Sequence, residues 1–129
     1  MVIAEKLQQE KLISQSTLER IGELYAFGKL IANGDMHQGN LSFIDPPLLP
    51  NNFAFALSPV YDMLPMSFAP DRSGNMKRQA ITLIVDPAVP KAQWLRAQRW
   101  ALNFWLRVEE DELISPAFRL IASQMLAQV

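Results

Sequence analysis

The sequence predicts one mainly helical domain with a small β-hairpin element in its middle. Apolar residues recur at helical spacing from Leu18 to Ile31 and again from Trp94 to Val108. Between those stretches lie two short apolar runs, "LSFI" at 41–44 and "FAFAL" at 53–57, joined by the proline-rich "DPPLLPNN". Half of the 129 residues are hydrophobic and only 19% are charged, a balance that favours a buried core over disorder in a chain of one-domain length.

Val2 to Ile13 reads as a short amphipathic helix. Ser16, with Glu19 three residues on, makes a capping box for a second helix, because hydroxyl and carboxylate can each accept an N–H left over in a first turn. Leu18, Ile21, Leu24, Tyr25, Phe27, Leu30 and Ile31 then form one broad apolar face, and the helix ends near Ala32, where Asn33 and Gly34 supply C-cap chemistry. The runs 41–44 and 53–57 are strands, with 45–52 as an exposed connection. "SPVYDMLPMSFAP" at 58–70 is irregular yet apolar, "DRSGNMKR" at 71–78 is a polar loop, and "AITLIV" at 80–85 suggests another strand. Pro90 opens a long helix through about Val108, with Trp94, Leu95, Ala101, Phe104, Trp105 and Val108 as its buried stripe. Ser115 and Pro116 start a last helix. The opening "MVIAEKLQQEKL" has the character of a mid-domain helix, as expected of a piece of something larger.

Several function classes are disfavoured. A net charge of -1 gives no electrostatic reason to bind nucleic acid or a membrane surface. With no cysteine, neither a disulfide scaffold nor a thiolate metal site can form, which fits a reducing, cytoplasmic setting. No apolar run is long enough for a signal peptide or a membrane span. Trp94, Trp100 and Trp105 read as packing groups, not as a base-stacking surface, since two of them fall on the apolar stripe. Met63 and Met66 read as gap-filling side chains beneath the polar loop, and Arg96, Arg99 and Arg107 as a solvated helix face.

The segment "NGDMHQGN" at 33–40 concentrates polar chemistry just after the second helix and holds the sole histidine. Taken alone, Asp35 and Asn40 are ordinary turn residues. Together with Asp62, which follows the strand pair, they suggest more. Magnesium prefers oxygen ligands, usually one or two protein groups plus phosphate and water. An amide oxygen and a carboxylate meet that need, and a separate carboxylate could accept a hydroxyl proton. Phosphoryl transfer asks little else of a protein beyond positioning and charge neutralisation.

"GDMHQGN" resembles the catalytic loop of the protein-kinase-like superfamily, and "LSPVYDMLP" resembles the metal-binding segment of the HipA family of bacterial serine/threonine kinases, toxins of toxin–antitoxin pairs. The resemblance runs from residue 17 to about 125. It implies the C-terminal lobe of a HipA-type kinase fold, with ATP and Mg2+ as cofactors, a protein hydroxyl as substrate and an antitoxin as partner. Matched by position, Asp35 would be the catalytic base, and Asn40 and Asp62 the metal ligands. His37 and Asn33 would shape the loop, with His37 and Tyr61 as weaker candidates for nucleotide contact. Direct contact with nucleic acid is not implied.

The chain departs from a complete kinase in one respect. Its five glycines form no glycine-rich phosphate loop, and no strand-borne lysine precedes Asp35. The expectation is therefore a single subdomain over 1–129, lacking the N-terminal nucleotide-binding lobe and inactive alone. Two alternatives stand beside it. A small-molecule phosphotransferase of the aminoglycoside or choline kinase type has a similar loop, but its second Asp usually lies closer than the 22 positions separating Asn40 from Asp62 here. A non-catalytic interaction module is the other.

Overall fold

A computed structural model describes residues 2–45, 54–76 and 80–129. Its elements are α1 (Val2–Gln9), α2 (Gln15–Leu30), β1 (Phe43–Ile44), β2 (Ala56–Leu57), α3 (Lys91–Glu110) and α4 (Pro116–Leu126). The fold is mainly helical with one two-stranded antiparallel sheet, in register Phe43 to Leu57 and Ile44 to Ala56. The proline-rich connection and the first residue of "FAFAL" lie outside the described residues, as does the end of the 71–78 loop.

Helix α1 stops earlier than the pattern suggests. Lys11 turns the chain through the left-handed region, with φ 59°. This frees Ile13 to form a parallel bridge with Phe55, whose N–H donates to the Leu12 carbonyl at 2.8 Å. The same turn shifts the cap of α2. Ser14, not Ser16, is the N-cap, its hydroxyl accepting the Thr17 N–H at 3.1 Å. Ser16 falls inside the first turn and bonds the Ser14 hydroxyl.

At its other end α2 closes with a Schellman arrangement built on an unexpected residue. Ala32, not Asn33 or Gly34, takes the left-handed conformation, with φ 58°. The Asn33 N–H donates to the Gly28 carbonyl at 2.8 Å and the Ala32 N–H to the Lys29 carbonyl at 3.1 Å. Gly34 serves a different need, since a Cβ there would lie 2.6 Å from the Ser67 hydroxyl.

The main core lies between α2, α3 and α4. Trp105 is fully buried, with Phe68 and Phe104 edge-on to it and Phe118 tilted against it. Its indole N–H donates to the Leu30 carbonyl at 3.0 Å, satisfying one of the acceptors left over at the end of α2. Helix α3 starts at Lys91, with Pro90 just outside as its N-cap, and runs past Val108 to Glu110. Its buried line is Gln93, Trp94, Ala97, Ala101, Trp105 and Val108. Phe104 packs partly buried against this core, whereas Leu95, expected on the stripe, is 48% exposed because it sits about 100° around the helix from Trp94. Arg96 also departs from a freely solvated role, since it pairs with the buried Glu23 carboxylate, which Arg20 also contacts within α2, and so ties α3 to α2. Ser115 caps α4, with Pro116 in the first turn, as the sequence suggests.

The run 80–85 is not a strand. Neither hairpin strand lies beside it. The side-chain amide of Gln128 stands in, accepting the Leu83 N–H and donating to the Ile81 carbonyl, both at 3.0 Å. Beyond it, Asp86 accepts bonds from the Ala88 N–H and the Tyr25 hydroxyl, which with the nearby Lys29 charge hold its pKa below the ordinary 3.8. A depressed carboxylate pKa stabilises the fold above the unfolded value, and that contribution is lost as pH falls through the lower folded one. Asp86→Asn is expected to lower stability near neutrality and to flatten the decline in the unfolding midpoint below about pH 4. Denaturant titrations of both proteins across that range check it.

Candidate active site

The loop after α2 is held on three sides. Met36 packs over Gly28 of α2, where a Cβ would collide with the Met36 thioether. The Ser67 N–H donates to the Ala32 carbonyl at 3.0 Å, fastening the 66–68 turn beneath the loop. The Tyr61 hydroxyl donates to the Gly39 carbonyl at 2.7 Å.

Within that frame Asn33 is a clamp. Buried at 6% exposure, its amide oxygen accepts the Asp35 N–H at 3.1 Å, and its amide nitrogen donates to the Asp62 carbonyl at 3.1 Å. One side chain thus links the backbones of the two Asp residues. His37 is exposed and bonds within the loop, its Nδ1 accepting the Gly39 N–H at 3.0 Å. Asn40, buried at 9% exposure, is fixed from both ends. Its Oδ1 accepts the His37 N–H at 3.0 Å, and its Nδ2 donates to Asp62 Oδ2 at 3.3 Å.

The hairpin explains how residues so far apart in sequence meet. β1 leaves Asn40 and β2 returns the chain toward it, and the Ser42 and Ser58 hydroxyls, bonded at 2.8 Å, close the return. Asp62 then adopts φ 59°, in the left-handed region, which Asp tolerates better than most residues but still at a cost. Strain of this kind persists where surrounding contacts over-determine it, and it concentrates at functional sites. Here the bonds from Asn33 and Asn40 do so.

The structure therefore brings Asn40 and Asp62 into direct contact and ties Asp35 to them through Asn33. The Asp35 and Asp62 residues are exposed, and the Asp35 carboxylate accepts no hydrogen bond from the described residues. Tyr61 commits its hydroxyl to the loop, leaving only its ring for other contacts. Asn33, expected to shape the loop, joins the backbones of the two Asp residues through its amide, a link that an Asn before Gly does not disclose in sequence. Among the described residues no group of three or more His, Cys, Asp or Glu side chains is placed to hold a metal. A magnesium ion bound mainly through phosphate and water needs fewer protein ligands than that. Asn40 Oδ1 keeps a second lone pair and Asp62 keeps Oδ1 uncommitted, so the pair fits such an ion. Beside the loop opens a largely apolar cleft of about 590 Å3, whose lining includes Ile21, Leu24, Met36, His37, Asn40 and Phe43. An apolar hollow rimmed by a few convergent polar groups is the usual form of a ligand site.

The family model of the HipA-like C-terminal domain matches residues 1–129. The chain belongs to that family. This HipA-like C-terminal domain is 44% identical over 122 residues to Toxin YjjJ of Escherichia coli (strain K12), an alignment covering 93% of this chain. It spans only about a quarter of that relative, 26% of its length. No solved structure matches the domain. No helix among its described residues is long and apolar enough to cross a membrane.

Proposed function

We propose that this domain is the catalytic-loop portion of a HipA-like serine/threonine protein kinase of the toxin–antitoxin type. It would act in the cytoplasm as a kinase-like C-terminal lobe, with the phosphate-gripping lobe supplied by other parts of a longer polypeptide. The observation that carries the reading is the contact between Asn40 and Asp62, in which the Asn40 amide nitrogen donates to Asp62 Oδ2 and so holds the amide group and the carboxylate together across the hairpin. These two would hold a Mg2+ ion that neutralises charge on the phosphates of ATP. Asp35 takes the proton of the acceptor hydroxyl as that oxygen bonds to the γ-phosphorus, and the bond from phosphorus to the departing ADP oxygen breaks. Asn33 and His37 would keep the loop in shape for this, and the Tyr61 ring, its hydroxyl held by the loop, would be the part free to contact the nucleotide. The name of the relative, a toxin, supports the toxin class and an antitoxin partner.

The domain alone lacks backbone amides and a lysine to grip the triphosphate. Its affinity for Mg-ATP is therefore expected to be weaker than about 1 mM, equivalent to less than about 4 kcal/mol of binding. Calorimetry on the 129-residue chain checks this. Micromolar affinity would mean that the domain grips nucleotide by itself and would overturn the division of labour proposed here.

A further inference from the structure

The solvent side of α3 carries a stripe that the fold leaves uncovered. Leu95, Leu102 and Leu106 are 48%, 36% and 43% exposed. Arg99 lies between the first two and Glu109 follows the last, so positions 95, 99, 102, 106 and 109 advance in alternating steps of four and three. That spacing keeps them on one line of a helix and is the pattern of a helix-pairing seam. Among the described residues the ion pairs are those of Glu23 with Arg20 and Arg96, so neither Arg99 nor Glu109 has a charge partner there.

The charges on α3 also run against its dipole. Lys91, Arg96 and Arg99 occupy the first half, whereas Glu109 and Glu110 end the helix and Asp111 and Glu112 follow. Acidic groups at a helix C-terminus and basic ones near its N-terminus are locally unfavourable, and Arg107 offsets only part of this. A neighbouring helix of the same sequence, laid antiparallel, reverses the penalty. Its acidic end meets this basic half, and its basic half meets this acidic end.

We propose that α3 is the interface of a twofold dimer, in which a second copy of this chain packs its own α3 antiparallel along the leucine stripe. A twofold axis at the level of Phe104 sets Leu102 against the partner's Leu106 and Arg99 against the partner's Glu109, each pair occurring twice by symmetry. Leu113, 96% exposed just past the helix end, comes level with the partner's Leu95. A second copy is favoured over an unrelated partner because the two halves of the stripe complement each other in both register and charge. With so few apolar layers the association is modest and depends on concentration.

Sedimentation velocity on the 129-residue chain, from about 1 μM to about 1 mM, is expected to show a reversible monomer–dimer equilibrium. Leu102→Lys should weaken the dimer by about tenfold or more, through like charges brought together across the axis. Because Leu102 faces solvent in the monomer, its helical circular dichroism should be unchanged. Arg99→Glu and Glu109→Arg should each weaken association, and the two swaps combined in one chain should restore it to within a few-fold of the original. A chain that stays monomeric throughout, a dimer indifferent to Leu102→Lys, or a double swap that restores nothing would overturn the proposal.

Discussion

Asp35→Asn is expected to lower phosphoryl transfer by about 10²–10⁴-fold in a polypeptide carrying this domain together with its nucleotide-gripping lobe, with Mg-ATP affinity nearly unchanged. The amide matches the carboxylate in size but cannot take the acceptor proton. No structural bond is lost, because only the backbone N–H of Asp35 is engaged, with Asn33. Asp62→Asn should behave differently. Its remaining oxygen can still accept from Asn40 Nδ2, so the loop holds, but a charged ligand becomes neutral and the metal requirement rises. His37→Ala should give a partial loss, since it removes the acceptor for the Gly39 N–H and loosens the loop. Transfer of label from ATP by the three variants, measured over a range of Mg2+ concentrations, separates these effects. Wild-type turnover by Asp35→Asn would remove it as the base.

Trp105→Ala is expected to destabilise the domain by about 3–5 kcal/mol. Native domains are stable by only about 5–15 kcal/mol, so this is a large share of the total. The indole is fully buried, and its removal leaves a hole where Phe68, Phe104 and Phe118 converge. It also leaves the Leu30 carbonyl without its donor. Trp105→Phe separates the two contributions, keeping most of the bulk while removing the N–H, and should cost about 1–3 kcal/mol. Denaturant unfolding of both variants measures this. The consequence for the site is direct, because the Leu30 carbonyl ends the helix from which the 33–40 loop departs. A Trp105→Phe protein as stable as the wild type would show that the indole bond contributes nothing.

Much of this architecture is legible locally. The long apolar stripes of α2 and α3 are set by side-chain spacing, and the paired runs at 41–44 and 53–57 bracket an unmistakable turn composition. The candidate site residues could be named because four positions of one loop, Asn33, Asp35, His37 and Asn40, and the pair Tyr61 and Asp62 fall in a recognisable order. What sequence could not supply depends on contacts from elsewhere. Ser14 and Ser16 are equally good caps, and the choice between them rests on Lys11 entering the left-handed region. A glycine is the usual end of a Schellman motif, yet Ala32 takes that position, and Gly34 lies instead where Ser67 approaches. The run 80–85 has strand character but, among the described residues, no strand to pair with, and Gln128 bonds two of its backbone groups instead. Leu95 is apolar and helical, but it stands about 100° around α3 from Trp94, and which sides of that helix are covered depends on where α2 and α4 pack.

In the function proposed above, Asn40 and Asp62 hold a divalent ion against the phosphates of ATP. Paramagnetic Mn2+, which accepts the same oxygen ligands as Mg2+, tests it most directly through line broadening in the amide NMR spectrum at millimolar ATP. The expected result is broadening centred on Asn40 and Asp62, extending to their loop neighbours and abolished by Asp62→Asn. Broadening centred elsewhere, on the exposed acidic run at 110–112 for example, or a pattern unchanged in Asp62→Asn, would contradict that role.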